Sequence, residues 1–285
     1  MWPRGGTYVR LVRKSVWTLG ALIVVLVSCG GGEPSGDVDP SRPTSTSTVD
    51  STVPPTTNGA GPATSGPSTT TTTVRVVGEA DPLRLWVIGD SFLELFGPAL
   101  VNRSLDTGVI DAVVDFRYVS GLSRPDFFDW PAYAADELPD RRPDAVVVMF
   151  GGNDAQDVEV GGTRYDVGTE AWGDLYTTRV AEMMDVLLTG TDRVYWIGLP
   201  IMKSDRFTAN ARTMNAAYET QAGQRPGVTY FSSFELFCDE SGEYNAYLDG
   251  KLMRFTDGAH FVWNGAYRLA DAILPVIATD WGIER

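Results

Sequence analysis

The chain has 285 residues, 43% of them hydrophobic and 21% charged, enough for one or two domains with a self-sufficient core. Its 23 Lys and Arg against 37 Asp and Glu give a formal net charge of −14, which leaves no basic footprint for nucleic acid. Two cysteines exclude a disulfide-rich scaffold and a thiolate metal cluster, and a single histidine excludes a multi-histidine zinc site.

Residues 1–14 carry Arg4, Arg10, Arg13 and Lys14 and no acid, and residues 16–27 are almost wholly apolar. About a dozen residues fall short of the roughly 20 that cross a bilayer. A basic stretch followed by an apolar one reads as a secretory signal. Its end, Leu26-Val27-Ser28-Cys29 followed by three glycines, resembles a bacterial lipobox. That resemblance implies cleavage before Cys29, diacylation of Cys29, and a secreted chain held by lipid on the outer face of the cell membrane. An uncleaved short anchor is the alternative. Loss of residues 1–28 removes four positive charges and takes the formal charge from −14 to −18. With Cys29 acylated, Cys238 is the one remaining thiol and no intramolecular disulfide can form.

Residues 29–80 are rich in Ser, Thr, Pro and Gly and include five consecutive threonines, Thr69 to Thr73. Such a stretch cannot bury apolar surface, and a disordered tether is expected. About fifty flexible residues have a root-mean-square span of roughly 40 Å and a fully extended reach of about 165 Å.

Residues 81–285 alternate strand and helix. Residues 83–89, 113–119, 144–150, 193–199 and 228–234 read as five strands rich in Val and Ile. Helices are expected near residues 92–105 and 207–221. Trp172, Leu175, Tyr176, Val180, Met183, Met184, Leu187 and Leu188 follow a helical period. Trp263, Tyr267, Ala270, Leu274 and Ile277 mark a last helix, which Pro275 should bend or interrupt. Strands apolar on both faces and alternating with helices predict a three-layer α/β/α sandwich around a five-stranded parallel sheet. Ligands of such sheets bind at the carboxyl ends of the strands.

Four short polar motifs fall at that edge: Gly89-Asp90-Ser91, Ser120-Gly121-Leu122, Gly151-Gly152-Asn153-Asp154, and Asp257-Gly258-Ala259-His260. Each alone is as well explained by a helix cap, a turn or a solvated loop. Together they hold the parts of nucleophilic acyl transfer. A serine hydroxyl needs a base, and His260 is the sole imidazole. Asp257, three residues earlier, can fix its tautomer. The Ser91 N–H, the Gly121 N–H and the Asn153 side-chain amide can bind an oxyanion.

This constellation resembles the SGNH (GDSL-type) hydrolase superfamily, whose four blocks supply a serine, a glycine, an asparagine and a histidine. Gly89-Asp90-Ser91 matches the first block, with Phe92 where leucine is usual. Gly121 matches the second block, Gly151 to Asp154 the third and Asp257 to His260 the last, so the likeness covers about residues 83–277. It implies a flavodoxin-like sheet, a Ser91–His260–Asp257 triad and no metal or organic cofactor. The stretch from Ser120 to Pro131, with Phe237-Cys238-Asp239, Tyr244 and Arg254, is similar to a branch of bacterial envelope members that act on acyl groups of polysaccharides. The expected activity is therefore a serine esterase acting on acylated carbohydrate, or an O-acyltransferase with the same triad. The rival from another class is a non-catalytic glycan-binding envelope lipoprotein.

Other motifs are missing: no Gly-x-Ser-x-Gly elbow, no phosphate loop and no dinucleotide fingerprint. Asp154 and Asp157 as a weak cation site, and Phe127, Phe128, Trp130 and Tyr133 as a substrate wall, are weighed against a solvated loop and ordinary packing. Arg124 is balanced between a substrate contact and a pairing with Asp126 or Asp129. Cys238 reads as a small buried filler.

Overall fold

A computed structural model describes residues 75–283. The expected signal, Cys29 and most of the tether lie outside them. In chain order the elements are β1 (Leu83–Gly89), α1 (Leu93–Thr107), β2 (Ile110–Phe116), α2 (Trp130–Arg141), β3 (Ala145–Met149), β4 (Val158–Val160), β5 (Thr163–Tyr165), α3 (Glu170–Leu188), β6 (Arg193–Ile197), α4 (Asp205–Gly223), β7 (Val228–Phe231), a 3₁₀ turn (Glu235–Phe237), β8 (Tyr247–Leu248), β9 (Lys251–Leu252) and α5 (Trp263–Asp280).

Strands β1, β2, β3, β6 and β7 form one sheet in the order β2-β1-β3-β6-β7, with every pairing parallel. This is the α/β sandwich expected from the alternation. β1, β3 and most of β6 are buried along their length, because helices cover both sides. Helices α1 and α5 pack on each other, and α2, α3 and α4 adjoin in sequence. The strand order reverses between β1 and β3, so their carboxyl ends flank the switch point where such folds bind ligands.

Several elements differ from the sequence expectation. The second strand is Ile110–Phe116, three residues earlier than expected. Its register pairs Leu83 with Ile110 and Gly89 with Phe116, so Arg117 to Val119 run past the end of β1. Three residues past the strand end, Val119 takes a left-handed φ of 62° although it is β-branched. Helix α5 continues through Pro275. The apolar face of Leu269, Ala270, Ile273, Leu274 and Ile277 is buried and offsets one missing N–H. Helix α2 is an element that the sequence pattern does not announce. It starts at Trp130-Pro131, where the Asp129 carboxylate caps the Ala132 N–H at 3.0 Å and proline needs no donor. Between the 3₁₀ turn and α5 an antiparallel bridge joins Cys238 to Tyr244, and a two-stranded hairpin follows it. Asp249-Gly250, both at positive φ, turns β8 into β9. At the other end of the domain, Arg75 pairs with Asp81 and Asp144, so packed structure begins a few residues before 81.

Candidate active site

Strand β1 ends at Gly89, where a Cβ would collide with the Met149 carbonyl of β3. The chain then presents Asp90 and Ser91 above the sheet, just before α1. Ser91 Oγ lies 2.8 Å from His260 Nε2, and His260 Nδ1 lies 2.8 Å from Asp257 Oδ2. Residues 169 positions apart thus meet at one edge of the sheet.

The local sequence explains the geometry of the histidine loop. The other Asp257 oxygen accepts the N–H groups of Ala259 at 2.8 Å and His260 at 3.1 Å. Gly258 turns the chain at φ 72°, and its O accepts the Lys203 N–H at 3.1 Å. Burial pushes the Asp257 carboxyl up, but these N–H donors and the His260 ring outweigh it and hold the group below its ordinary range. An ionised Asp257 only accepts, so Nδ1 carries the ring proton and Nε2 is left to accept from the Ser91 hydroxyl. Phe92, in place of the usual leucine, lies with its ring centroid 5.3 Å from the imidazole and supports it from the side.

The loops after β2 and β3 complete the cleft. Asn153 Nδ2 donates to the Ser120 carbonyl at 3.0 Å, which fixes the amide plane and leaves its second hydrogen unspent on Ser120. Ser120 is held in turn by Trp130, whose indole N–H donates to its Oγ at 2.9 Å. Among the described residues, the N–H groups of Ser91 and Gly121 have no intramolecular acceptor. Gly121 is required sterically, since a Cβ there would collide with the Asp154 carboxylate.

Buried charges join these loops. Asp90, fully buried, accepts from the N–H of Phe92 at 2.9 Å, Gly151 at 2.9 Å and Gly152 at 2.7 Å. Burial, with the charge of Asp154 adding to it, raises its carboxyl to about 7 despite those donors. Asp154 is also fully buried and accepts from Ser123 N–H and the Tyr176 hydroxyl, each at 2.8 Å. Burial raises it as well. Arg254, 1% exposed, donates to the Ala259 carbonyl at 2.6 Å and the Ile201 carbonyl at 3.2 Å, with its guanidinium over the rings of Phe237 and Phe261. The sequence motifs name Asp90, Asp154 and Arg254 but assign none of them this clamping role. The signal available was their position beside the motif residues.

Asp154 and Asp157 do not converge on a cation: Asp157 pairs with Arg164 and accepts the Val167 N–H. Among the described residues no group of three or more His, Cys, Asp or Glu is placed to hold a metal. Phe128, Trp130 and Tyr133 pack with one another and Phe150 in an aromatic cluster rather than walling the cleft, and Phe127 points to solvent. Arg124 pairs with Asp126. Cys238 is half-buried, its Sγ facing the Phe234 carbonyl, and burial pushes its thiol up. A cavity of about 240 Å³ opens beside the imidazole, between the loop after β3, the histidine loop and the start of α4.

The family described as "Protein of unknown function (DUF459)" matches residues 84–276. The chain belongs to this family. Its fold is that of the SGNH hydrolases. A GDSL-like lipase from Bacteroides thetaiotaomicron is similar at TM-score 0.51 and 13% identity, over 69% of this chain and 88% of that one. A carbohydrate esterase family 3 protein from Talaromyces cellulolyticus is similar at TM-score 0.50 and 16% identity, over 71% and 100%. An acetyl esterase mutant solved with acetate ion is similar at TM-score 0.51 and 15% identity, over 70% and 98%. No curated protein matches the chain by sequence.

Proposed function

We propose that this DUF459 protein is a serine esterase that cleaves O-acyl esters of carbohydrate at the bacterial cell envelope. The observation that carries the reading is the unbroken relay of Ser91 Oγ, His260 and Asp257, with both contacts at 2.8 Å. His260 Nε2 takes the Ser91 proton as Oγ attacks the ester carbonyl. The oxyanion is bound by the N–H groups of Ser91 and Gly121 and the Asn153 amide. The imidazolium, held by Asp257, returns its proton to the departing alkoxide as the C–O bond breaks, leaving an acyl-serine. Water, deprotonated by His260, attacks that ester and releases the carboxylic acid and free Ser91. If a sugar hydroxyl replaces water in the second step, the same groups give an O-acyltransferase. Acylation of Cys29 would keep the domain within reach of envelope glycans through the segment that precedes Arg75.

Labelling with a fluorophosphonate probe and turnover of an aryl acetate test this reading. Both are expected in the wild type and absent in Ser91→Ala and His260→Ala. A folded wild-type protein that neither labels nor turns over would favour the glycan-binding alternative. Product analysis with an acyl donor and added oligosaccharide separates hydrolysis from transfer.

A further inference from the structure

The cavity beside His260 is bounded by Phe92, Met202, Phe207 and Met214, with Ala155 and the backbone of Gly151 and Gly152 completing the wall. Met202 and Met214 are buried, whereas Phe207 is 41% exposed and stands at the mouth. Asn153, Asn210, Asp257 and His260 are its polar members. Asp257 is committed to His260 and the loop N–H groups, and Asn153 already donates to Ser120. The deeper wall therefore has Asn210 as the one polar side chain outside the relay and the amide. A polyhydroxylated sugar seated there would leave hydroxyls without partners, each at a desolvation cost. Hydrocarbon would bury at a gain.

The size of the cavity sharpens the point. At about 240 Å³ it is many times the roughly 10–15 Å³ that admits one water. The methyl of an acetyl group would leave most of it empty, and an underfilled apolar cavity forfeits contacts. Met202 and Met214 are unbranched and polarizable, suited to line a channel for a flexible chain.

Resting on the esterase reading above, we propose that this cavity is the acyl-chain subsite, and that it selects unbranched acyl groups of roughly four to eight carbons over acetyl. The sugar moiety of the ester stays outside, at the open polar rim. Met214 sets the depth, and Phe207 closes the mouth over the chain.

The test is the chain-length profile of kcat/KM on p-nitrophenyl esters from two to twelve carbons. A parallel series is the inactivation rate by alkyl fluorophosphonates of increasing alkyl length, which reads the cavity without turnover. Each methylene that enters is expected to raise both about fourfold, up to an optimum beyond two carbons. Met214→Phe should move the optimum toward two carbons. Phe207→Ala, at a half-exposed site that tolerates truncation, should cut the rates for long esters about tenfold more than the rate for the acetyl ester. An optimum at two carbons in the wild type, or profiles unmoved by both substitutions, overturns the assignment. Esters cleaved with Ser91 labelled but without chain-length preference leave the esterase reading standing and remove only the subsite. No labelling with any probe removes both.

Discussion

The carboxylate of Asp90 lies 2.7 Å from the Gly152 N–H, and this bond fastens the serine loop to the loop that carries Asn153. The same carboxylate holds Gly151 and Phe92, so one buried charge sets the spacing of nucleophile and amide. That arrangement has a cost that pH should reveal. In the folded chain Asp90 titrates at about 7, above the 3.8 of an exposed aspartate. Between those values the folded state holds a proton that the unfolded state has released, so stability falls as pH climbs from about 4 to about 7. Asp90→Asn removes the titration and should flatten that slope. A residual slope of the same sign should remain from Asp154, whose carboxyl is also raised. Denaturant titrations at pH 5 and pH 7.5 measure the difference. Equal slopes in wild type and Asp90→Asn would contradict the clamp's cost.

The Asp257 carboxylate determines which nitrogen of His260 accepts. Asp257→Asn can donate to Nδ1, which favours the tautomer with the proton on Nε2 facing Ser91. The expected loss in kcat is about 10³–10⁴-fold with little change in fold. The measurement is aryl ester turnover beside a thermal melt. A loss below tenfold would mean that Asp257 does not orient the base.

Gly121 has a sharper requirement than freedom to approach a substrate. A methyl group there meets the Asp154 carboxylate, which Ser123 N–H and Tyr176 hold in place. In Gly121→Ala the loop must yield, at about 1–3 kcal/mol of stability. The displaced N–H should lower the rate by about 10²–10³-fold. A variant with wild-type kcat would show that this N–H does not face the oxyanion.

Much of the architecture was legible because parallel strands buried on both faces are continuous apolar runs. β1, β3 and β6 are such runs, and the sequence located them within two residues at each end. Edge strand β2 lies three residues earlier than the expected run, because residues 110–116 and 113–119 each hold five apolar and two charged residues and the half-exposed pattern does not choose between them. The four motifs announced which side chains could meet, since rare polar residues at strand ends stand out. The clamps were not legible. Asp90, Asp154 and Arg254 act through partners 22 to 62 residues away or through nearby main-chain atoms, which leave no mark in local sequence.

Arg254 is the least orthodox of these clamps. Among the described residues its buried guanidinium has no carboxylate hydrogen-bonded to it, and its Nε has no partner. Burial pulls it down to about 9, which still leaves it charged at neutral pH. The Ala259 and Ile201 carbonyls it binds belong to the histidine loop and to the chain leading to Met202, so it ties relay and cavity wall together. Arg254→Met would fill the space between Phe237 and Phe261 and remove an expensive buried charge, but it leaves both carbonyls without a donor. These effects oppose each other, and the net change in stability should stay within about 2 kcal/mol. The turnover number should fall at least about tenfold, because the histidine loop loses its anchor. Arg254→Lys keeps the charge but replaces the planar fork with a point donor, and should recover only part of the rate. Turnover and denaturant melts on the two variants decide it. Wild-type rates in a folded Arg254→Met protein would confine this residue to packing.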